Sequence, residues 1–294
     1  MYDVAKAGVV LAAGILSIVI SPAQGAITFL DHFNSSSSFD INPGNGDYAA
    51  GDSTATVSNS PTTDTGFFPG SSPANLAFKA GATSPSYVEF NSFDGNVQFT
   101  SSTSGGITVG AWVKFSGADP VGRIFSLGSP DLDDDFLMVD YGNGHPSIPR
   151  AYFRDGGSSQ TLETPSARSL SDWNYLAVTV DLTNAQMSLY LYDNTGAAVA
   201  GAPVSVSIPV TGWNLTNPVA TWERIRIGGP AASGSIVWVD EFSIDDQVLS
   251  SSQISARVSS MIAGNQLAVP EPASLGLILM GGMGLLARRR RFAC

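Results

Sequence analysis

Short runs of β-branched and aromatic residues recur through the middle of the chain, separated by clusters of Gly, Ser, Asn, Asp and Pro. This alternation is typical of an all-β domain. The clearest strand spans residues 107–115, because an apolar face alternates there with a mixed one. The apolar face comprises Val109, Ala111, Val113 and Phe115, and the other comprises Thr108, Trp112 and Lys114. We predict further strands at 87–90, 123–127, 136–140, 151–153, 175–181, 187–192, 225–227 and 236–244.

One helix is predicted near the end of this region. The serines Ser250 to Ser252 can cap a first turn, and apolar residues then recur at helical spacing. These residues are Ile254, Val258, Met261 and Ile262. Many strands, one helix and a single domain over 26–262 predict an all-β, two-sheet antiparallel sandwich, against which the helix packs as a terminal latch.

The N-terminal segment has the pattern of a secretory signal peptide. Lys6 precedes an apolar or small stretch from 7 to 20, and the small residues of 21–26 follow it. A stretch of fourteen residues suits the apolar region of a signal better than a spanning helix. We therefore predict a signal peptide over 1–25, cut by signal peptidase before Ala26.

The C-terminal segment, residues 269–294, combines a helix breaker, an apolar run and a basic stop. Pro270, Glu271 and Pro272 precede a mostly apolar stretch over 273–287, which the arginines of 288–291 close. Those arginines are Arg288, Arg289, Arg290 and Arg291. A helix over 273–287 would extend about 22 Å, less than the ~30 Å hydrocarbon core of a bilayer. Residues 263–268 form a short polar linker between the domain and this tail.

This order of elements resembles the PEP-CTERM sorting signal of Gram-negative bacteria. The resemblance implies that an integral-membrane exosortase processes the tail after transient anchoring in the inner membrane, and that the protein reaches the cell envelope or the extracellular matrix. An ordinary tail anchor is the alternative. Both interpretations place the preceding domain outside the cytoplasm, because the arginines mark the cytoplasmic side.

Charge and cysteine content narrow the possible partners. The chain has a formal net charge of −11, and without both predicted end segments nine bases and twenty-four acids remain, a net charge of −15. Such a surface repels nucleic acid and anionic lipid, so no nucleic-acid partner is expected. The single cysteine, Cys294, lies in the tail, which excludes a disulfide within the chain.

The strand sequences themselves resemble a laminin-G-like domain. The resemblance rests on residues 107–115, 123–128, 173–181 and the closing segments 225–228, 239–244 and 248–250. It extends over about 75–262, with 27–74 as entry strands, and implies the jelly roll of the concanavalin A-like lectin and glucanase superfamily. Members of this fold include lectins, adhesion modules, hydrolases and structural spacers, so the resemblance predicts the fold more firmly than the function.

No catalytic residues are predicted. A glycosidase needs two carboxylates flanking the sugar bond, but the Glu-x-Asp-x-x-Glu spacing of jelly-roll glucanases is absent. Asp240 and Glu241 are adjacent, so a regular strand would point them to opposite faces, with Asp240 on the side of Trp238 and Phe242. Two histidines, His32 and His145, and no Gly-x-Ser-x-Gly sequence give no support to a catalytic triad or a structural zinc site.

Calcium is the one cofactor that the sequence suggests. The loop before the strand at 136–140 contains Asp131, Asp133, Asp134 and Asp135, and carboxylates this dense repel one another unless they are hydrated or bridged by a cation. Asp131, Asp133 and Asp135 are the candidate ligands. A solvated acidic loop is the alternative, and the spacing excludes an EF-hand.

Aromatic residues in or beside loops are the candidates for sugar stacking, although such residues more often belong to the core or a sheet edge, because aromatics dominate sandwich cores. They are Tyr141, Trp173, Trp213 and Trp222. We expect an exported, non-enzymatic module that binds carbohydrate or matrix, with exopolysaccharide as the partner that the sorting-signal family implies. A glycan-degrading enzyme and an inert structural spacer are the competing hypotheses.

Overall fold

The computed structural model describes residues 27–33, 48–49, 54–58, 62–67, 76–80, 86–91, 105–116, 122–128, 136–141, 148–155, 158–165, 170–199, 201–209, 224–229 and 235–267. The predicted signal peptide and the predicted sorting segment lie outside these residues. So do the candidate calcium ligands Asp131, Asp133 and Asp135, and the loop tryptophans Trp213 and Trp222.

The described residues form sixteen strands and one helix, α1 (Ser251–Ile262). The first eight strands are β1 (Ile27–Asp31), β2 (Tyr48–Ala49), β3 (Thr54–Ser58), β4 (Thr62–Thr65), β5 (Leu76–Ala80), β6 (Ser86–Asn91), β7 (Gly106–Ser116) and β8 (Gly122–Gly128). The others are β9 (Phe136–Tyr141), β10 (Pro149–Asp155), β11 (Ser158–Glu163), β12 (Asn174–Asp181), β13 (Gln186–Asp193), β14 (Val204–Ser207), β15 (Arg224–Gly229) and β16 (Ile236–Asp245).

The strands make two antiparallel sheets. The nine-stranded sheet has the order β14-β13-β12-β7-β16-β1-β2, with β5 also paired to β16 and β4 to β5. The seven-stranded sheet has the order β11-β10-β9-β8-β15-β6-β3. Non-consecutive neighbours such as β7 and β16 mean that the chain crosses between the sheets. This arrangement confirms the predicted two-sheet antiparallel sandwich.

The core lies between the sheets and follows the predicted alternation. In β7, Val109, Ala111, Val113 and Phe115 face the other sheet, and Trp112 lies on the opposite side. The nine strands predicted from the sequence are all present, with ends that differ by a few residues. The edge strands β11 and β14 escaped prediction because few of their residues are buried, and a half-exposed polar strand has little hydrophobic pattern.

Helix α1 closes the outer side of the nine-stranded sheet, as predicted. Ser250 caps it in a capping box, in which Gln253 N donates to Ser250 Oγ (3.3 Å) and Ser250 N donates to Gln253 Oε1 (2.8 Å). Its apolar residues pack on the aromatic side chains of β7 and β12, and Trp112 Nε1 donates to Met261 Sδ at 3.3 Å. One face of this sheet is therefore committed to holding the helix.

Candidate functional site

Six neighbouring strands of the seven-stranded sheet carry charged side chains on its outer side, some exposed and some buried. We call this set the charged row. In sheet order from β6 to β11 it consists of Glu89, Arg226, Arg123, Asp140, Arg150 and Glu163. Most of these side chains face outward because their strand neighbours are core residues: Val88 and Phe90 flank Glu89, and Leu137 and Val139 precede Asp140.

Arg123 reaches the outer face through a β-bulge. Regular alternation from the buried Leu127 and Phe125 would place residue 123 in the core. The register between β8 and β9 shifts between Arg123 and Phe125, and Ile124 and Phe125 both belong to the core. The extra residue turns Arg123 outward, beside Asp140 on β9.

Glu89 and Arg226 form a closed ion pair at one end of the row. They lie directly opposite each other on β6 and β15. Arg226 Nε donates to Glu89 Oε2 at 2.8 Å, and Arg226 Nη2 donates to the same oxygen. The Arg226 guanidinium also lies 4.1 Å from the ring centroid of Tyr87. This cation–π contact and the ion pair hold the guanidinium in a fixed plane.

Asp140 and Arg150 form a second closed pair, with bidentate geometry. Arg150 Nε donates to Asp140 Oδ1 at 2.9 Å and Arg150 Nη2 donates to Asp140 Oδ2 at 2.7 Å. The hydrogen bond with Asp140 raises the pKa of Arg150, although partial burial opposes this, and the charge of Glu163 on β11 adds to the rise. Arg150 therefore stays protonated at neutral pH.

Arg123 lies between the two closed pairs. It forms no hydrogen bond or ion pair within the part of the chain that the structure describes. Its half-buried side chain packs over Gly229 on the neighbouring strand. A Cβ added to residue 229 would lie 3.1 Å from Arg123 Cβ and 3.2 Å from Arg123 Cδ. Burial and the neighbouring charge of Arg226 lower the pKa of Arg123, while Asp140 opposes this shift. The row therefore has one cation whose charge is not neutralised by a bonded carboxylate.

Basic residues are concentrated on this face. Residues 26–272 contain nine lysines and arginines. The face holds four of them, since Arg154 follows the core residue Phe153 and points to the same side as Arg150. A strongly acidic domain thus keeps much of its positive charge on one sheet surface.

A second row of aromatic and basic side chains lies on the outer side of the nine-stranded sheet. Lys79 and Lys114 flank Trp238 on the neighbouring strands β5 and β7, with their Nζ atoms 5.4 and 5.0 Å from the Trp238 ring centroid. Lys114 Nζ also lies 5.9 Å from the ring of Trp173. Trp173 is half-buried and meets the edge of Phe67, at 6.4 Å between ring centroids. Two of the four predicted aromatic candidates lie within the described residues, and of these two Trp173 reaches the surface.

Tyr141, another predicted candidate, is a core residue. Only 1% of it is exposed, and its ring lies 4.7 Å from that of Phe115. Its hydroxyl accepts a hydrogen bond from Leu170 N at 3.4 Å. Regular alternation in β9 places it on the inner side, so it is not available for sugar stacking.

The prediction that Asp240 and Glu241 point to opposite faces is wrong. A bulge interrupts the pairing of β16 with β7 between Asp240 and Ser243, and Glu241 has a φ of 50°. Asp240 Oδ2 accepts from Phe67 N (2.7 Å) and Glu241 Oε2 accepts from Leu267 N (3.0 Å). Both partners pack against the helix side of the sheet. The bulge also turns Phe242 into the core, away from the side of Asp240.

Glu241 links both ends of the described domain. Its Oε1 lies 2.6 Å from His32 Nδ1, and its Oε2 holds the amide of Leu267. His32 and Glu241 are both buried. Asp240 accepts hydrogen bonds from the backbone amides of Phe67 and Glu241. These groups therefore serve the fold.

Metal and membrane predictions fall largely outside the described residues. Within the described ranges, no group of three His, Cys, Asp or Glu residues could hold a metal ion. The calcium prediction at Asp131, Asp133 and Asp135 remains a prediction. No helix of the described part is long and apolar enough to cross a bilayer, and the predicted apolar run at 273–287 lies outside that part.

The charged row was not predicted from the sequence, although part of its signal is present there. Residues 86–91 and 149–155 each alternate apolar with polar or charged positions, and that period places Glu89 and Arg150 on outer faces. Residues 136–139 are all apolar, so no such period marks Asp140. The pattern does not reveal that these strands belong to the same sheet, and it places Arg123 in the core.

The antiparallel two-sheet sandwich, with one outer face covered by a helix, is a jelly roll. A profile of the concanavalin A-like lectin/glucanases superfamily matches residues 83–255, more than half of the 294-residue chain. The chain belongs to this superfamily, which confirms the laminin-G-like prediction. A PEP-CTERM protein-sorting motif matches residues 268–291, which confirms the predicted tail signal and marks an exported, envelope-associated protein.

Solved structures with the same fold include binding domains of botulinum neurotoxins. The serotype D binding domain is 14% identical with a TM-score of 0.54, and the match covers 80% of this chain and 52% of that one. The DC binding domain in complex with SialylT is 11% identical, with a TM-score of 0.55 and coverage of 81% and 52%. The chain thus spans about half the length of these structures, and the likeness shows the fold alone. No curated protein matches the chain.

Proposed function

We propose that the protein is an exported, non-enzymatic carbohydrate-binding module of the cell envelope or extracellular matrix, and that the charged row is its binding face. The observation that carries this proposal is the row itself, with Tyr87 beside it, on the sheet face opposite the one that holds α1. Its partly exposed guanidinium groups offer hydrogen-bond donors, while the buried carboxylates of Glu89 and Asp140 hold two of them in place. Sugar hydroxyls can accept hydrogen bonds from these donors.

The positions of the carboxylates favour binding over hydrolysis. Glu89 and Asp140 are separated by three strand spacings of about 4.8 Å, so they lie at least ~14 Å apart, beyond the roughly 5–9.5 Å that glycosidases use. Asp140 and Glu163 are separated by two such spacings, but Arg150 stands between them and bonds Asp140. We therefore propose no catalytic residue.

The two end segments supply the route to this location. We propose that signal peptidase removes residues 1–25 and that the C-terminal tail then anchors the chain in the inner membrane. An exosortase processes the PEP-CTERM motif and so releases the chain. Replacing Pro270 and Pro272 by alanine is expected to leave the unprocessed chain in the membrane fraction. Processing of this double variant at the normal rate would contradict the assignment of the motif.

A polysaccharide-binding measurement tests the binding function. The full chain, purified in a polyoxyethylene-ether detergent that carries no sugar, is titrated with soluble polysaccharides in calcium and in chelator. We expect saturable binding without release of reducing ends, and weaker binding by Tyr87→Ala. The matched control is Gln186→Ala, an exposed position at the start of β13 in the other sheet.

The alternatives are separated by the same measurement. Released reducing ends would establish a glycan-degrading enzyme, and neither binding nor release would leave a structural spacer. Loss of binding by Trp173→Ala but not by Tyr87→Ala would move the site to the Trp238 and Lys114 side of the sandwich. If chelation changes neither binding nor the melting temperature, the calcium prediction at Asp131, Asp133 and Asp135 is wrong.

A further inference from the structure

We propose that Arg123 is the subsite for an anionic group, and that the ligand of the charged row is an acidic polysaccharide bearing carboxylate or sulfate groups. This inference rests on the proposed carbohydrate-binding function and specifies its ligand class. It starts from the asymmetry of the row: Glu89 is bonded to Arg226 and Asp140 is bonded to Arg150. Arg123 has no such partner among the described residues.

Leaving a half-buried guanidinium without an anion is unfavourable. Burial removes part of its hydration without replacing it by a hydrogen bond. The neighbouring Arg226 adds repulsion, and the nearest carboxylate, Asp140, already accepts two bonds from Arg150. An arriving carboxylate or sulfate would satisfy Arg123 and relieve the repulsion from Arg226.

The shape of the site suits a planar or tetrahedral oxyanion. A guanidinium presents its donors in a rigid fork that binds carboxylate, sulfate and phosphate oxygens through two bonds at once. The bulge in β8 turns Arg123 outward. Gly229 has no side chain, which leaves space for the methylene groups of Arg123.

A purely structural role for Arg123 makes a different prediction. Its methylene groups pack over Gly229, and a methionine of similar length would keep that packing. If packing were its function, Arg123→Met would bind every ligand as the parent chain does. If it is an anion subsite, the same variant loses acidic ligands selectively.

The test compares polygalacturonate, dextran sulfate and neutral dextran as ligands of the full chain in the same sugar-free detergent. We expect the parent chain to prefer at least one acidic polymer over dextran, and which polymer it prefers distinguishes a carboxylate from a sulfate ligand. Arg123→Met should weaken the affinity for the acidic polymers roughly ten- to hundredfold, because it removes a charged hydrogen bond. The affinity for dextran should stay unchanged. Arg123→Lys should retain part of the affinity because it keeps the charge but loses the fork.

The control is Arg154→Met, which removes the same charge from the same face about 13 Å along β10 from Arg150. It should change acidic binding far less, and unchanged melting temperatures of the variants would establish that they are folded. Equal binding of acidic and neutral polymers, or equal losses for the two methionine variants, would overturn the anion subsite while the carbohydrate-binding function stands. Absence of binding to all three polymers would overturn the carbohydrate-binding function itself.

Discussion

Arg257 on helix α1 and Asp245 at the end of β16 form a buried, bidentate ion pair. Arg257 Nη1 donates to Asp245 Oδ2 at 2.7 Å and Arg257 Nη2 donates to Asp245 Oδ1 at 2.6 Å. Burial alone would lower the pKa of Arg257, but the hydrogen bond and charge of Asp245 outweigh it and raise the pKa. Arg257 Nη1 also donates to Ser243 Oγ at 3.5 Å, and burial raises the pKa of the neighbouring Tyr175. This network fixes the helix on the sheet.

Removing one partner of the pair is expected to destabilise the domain strongly. Arg257→Met leaves the Asp245 carboxylate buried without a counter-charge, which costs about 3–5 kcal/mol of unfolding free energy. Urea unfolding followed by tryptophan fluorescence measures the loss. The double variant Arg257→Met with Asp245→Leu should be more stable than the single variant, because no charge then remains buried. Equal or greater instability of the double variant would contradict this account.

Gly110 is expected to be intolerant of a side chain because of Tyr175. A Cβ at residue 110 would lie 2.3 Å from Tyr175 Oη and 2.9 Å from Tyr175 Cζ. Gly110→Ala should therefore displace the ring and lower stability by about 1–3 kcal/mol. Adding Tyr175→Phe removes the closest atom, so the second change should be less harmful in the Gly110→Ala background than in the parent chain. A double-mutant cycle by thermal unfolding measures the difference, and purely additive losses would show that the two sites are not coupled.

The capping box at the start of α1 is expected to contribute measurably to stability. Ser250→Ala removes the acceptor for Gln253 N, at a typical cost of about 1 kcal/mol. Ser251→Ala is the matched control, since Ser251 is exposed in the first turn and alanine favours helix there. We expect the midpoint of urea unfolding to fall for Ser250→Ala and to stay or rise slightly for Ser251→Ala. A fall of the same size in both would contradict the cap assignment.

Glu241 is expected to hold the segment that leads to the sorting motif. Glu241→Ala removes the acceptor of Leu267 N, so hydrogen exchange at the Leu267 amide should accelerate. The loss of stability should be about 1–3 kcal/mol or more, because the buried His32 ring also loses its contact with the Glu241 carboxylate. Glu241→Gln keeps the size of the side chain and one acceptor oxygen, so it should lower stability less. Slow exchange of Leu267 in the alanine variant would show that its packing alone holds the segment.

Local sequence pattern predicted the strands that are apolar on a fixed period. The strand β7 has five or more consecutive alternations, and the side chains of Val109 and Trp112 lie on the predicted sides. The helix was equally accessible, because Ile254, Val258 and Met261 repeat at helical spacing and are all buried. These features depend on residues close together in the chain.

The candidate site depends on contacts between distant residues, and it was not predicted. Glu89 and Arg226 are 137 positions apart, and only the sheet order places them side by side. Strand pattern gives no information about which strands become neighbours. The adjacent acids Asp240 and Glu241, for which the sequence predicted no catalytic role, accept hydrogen bonds inside the fold.

By itself the sequence determined the all-β sandwich, the helix latch and the C-terminal sorting motif, since each rests on local periodicity or a contiguous motif. The tertiary structure decided which side chains share a face. Two β-bulges, at Arg123 and at Glu241, each shift the alternation by one position and so move a charged residue to the other side of its sheet. A bulge forms where pairing with neighbouring strands demands it, and that demand is set by residues far away in the chain.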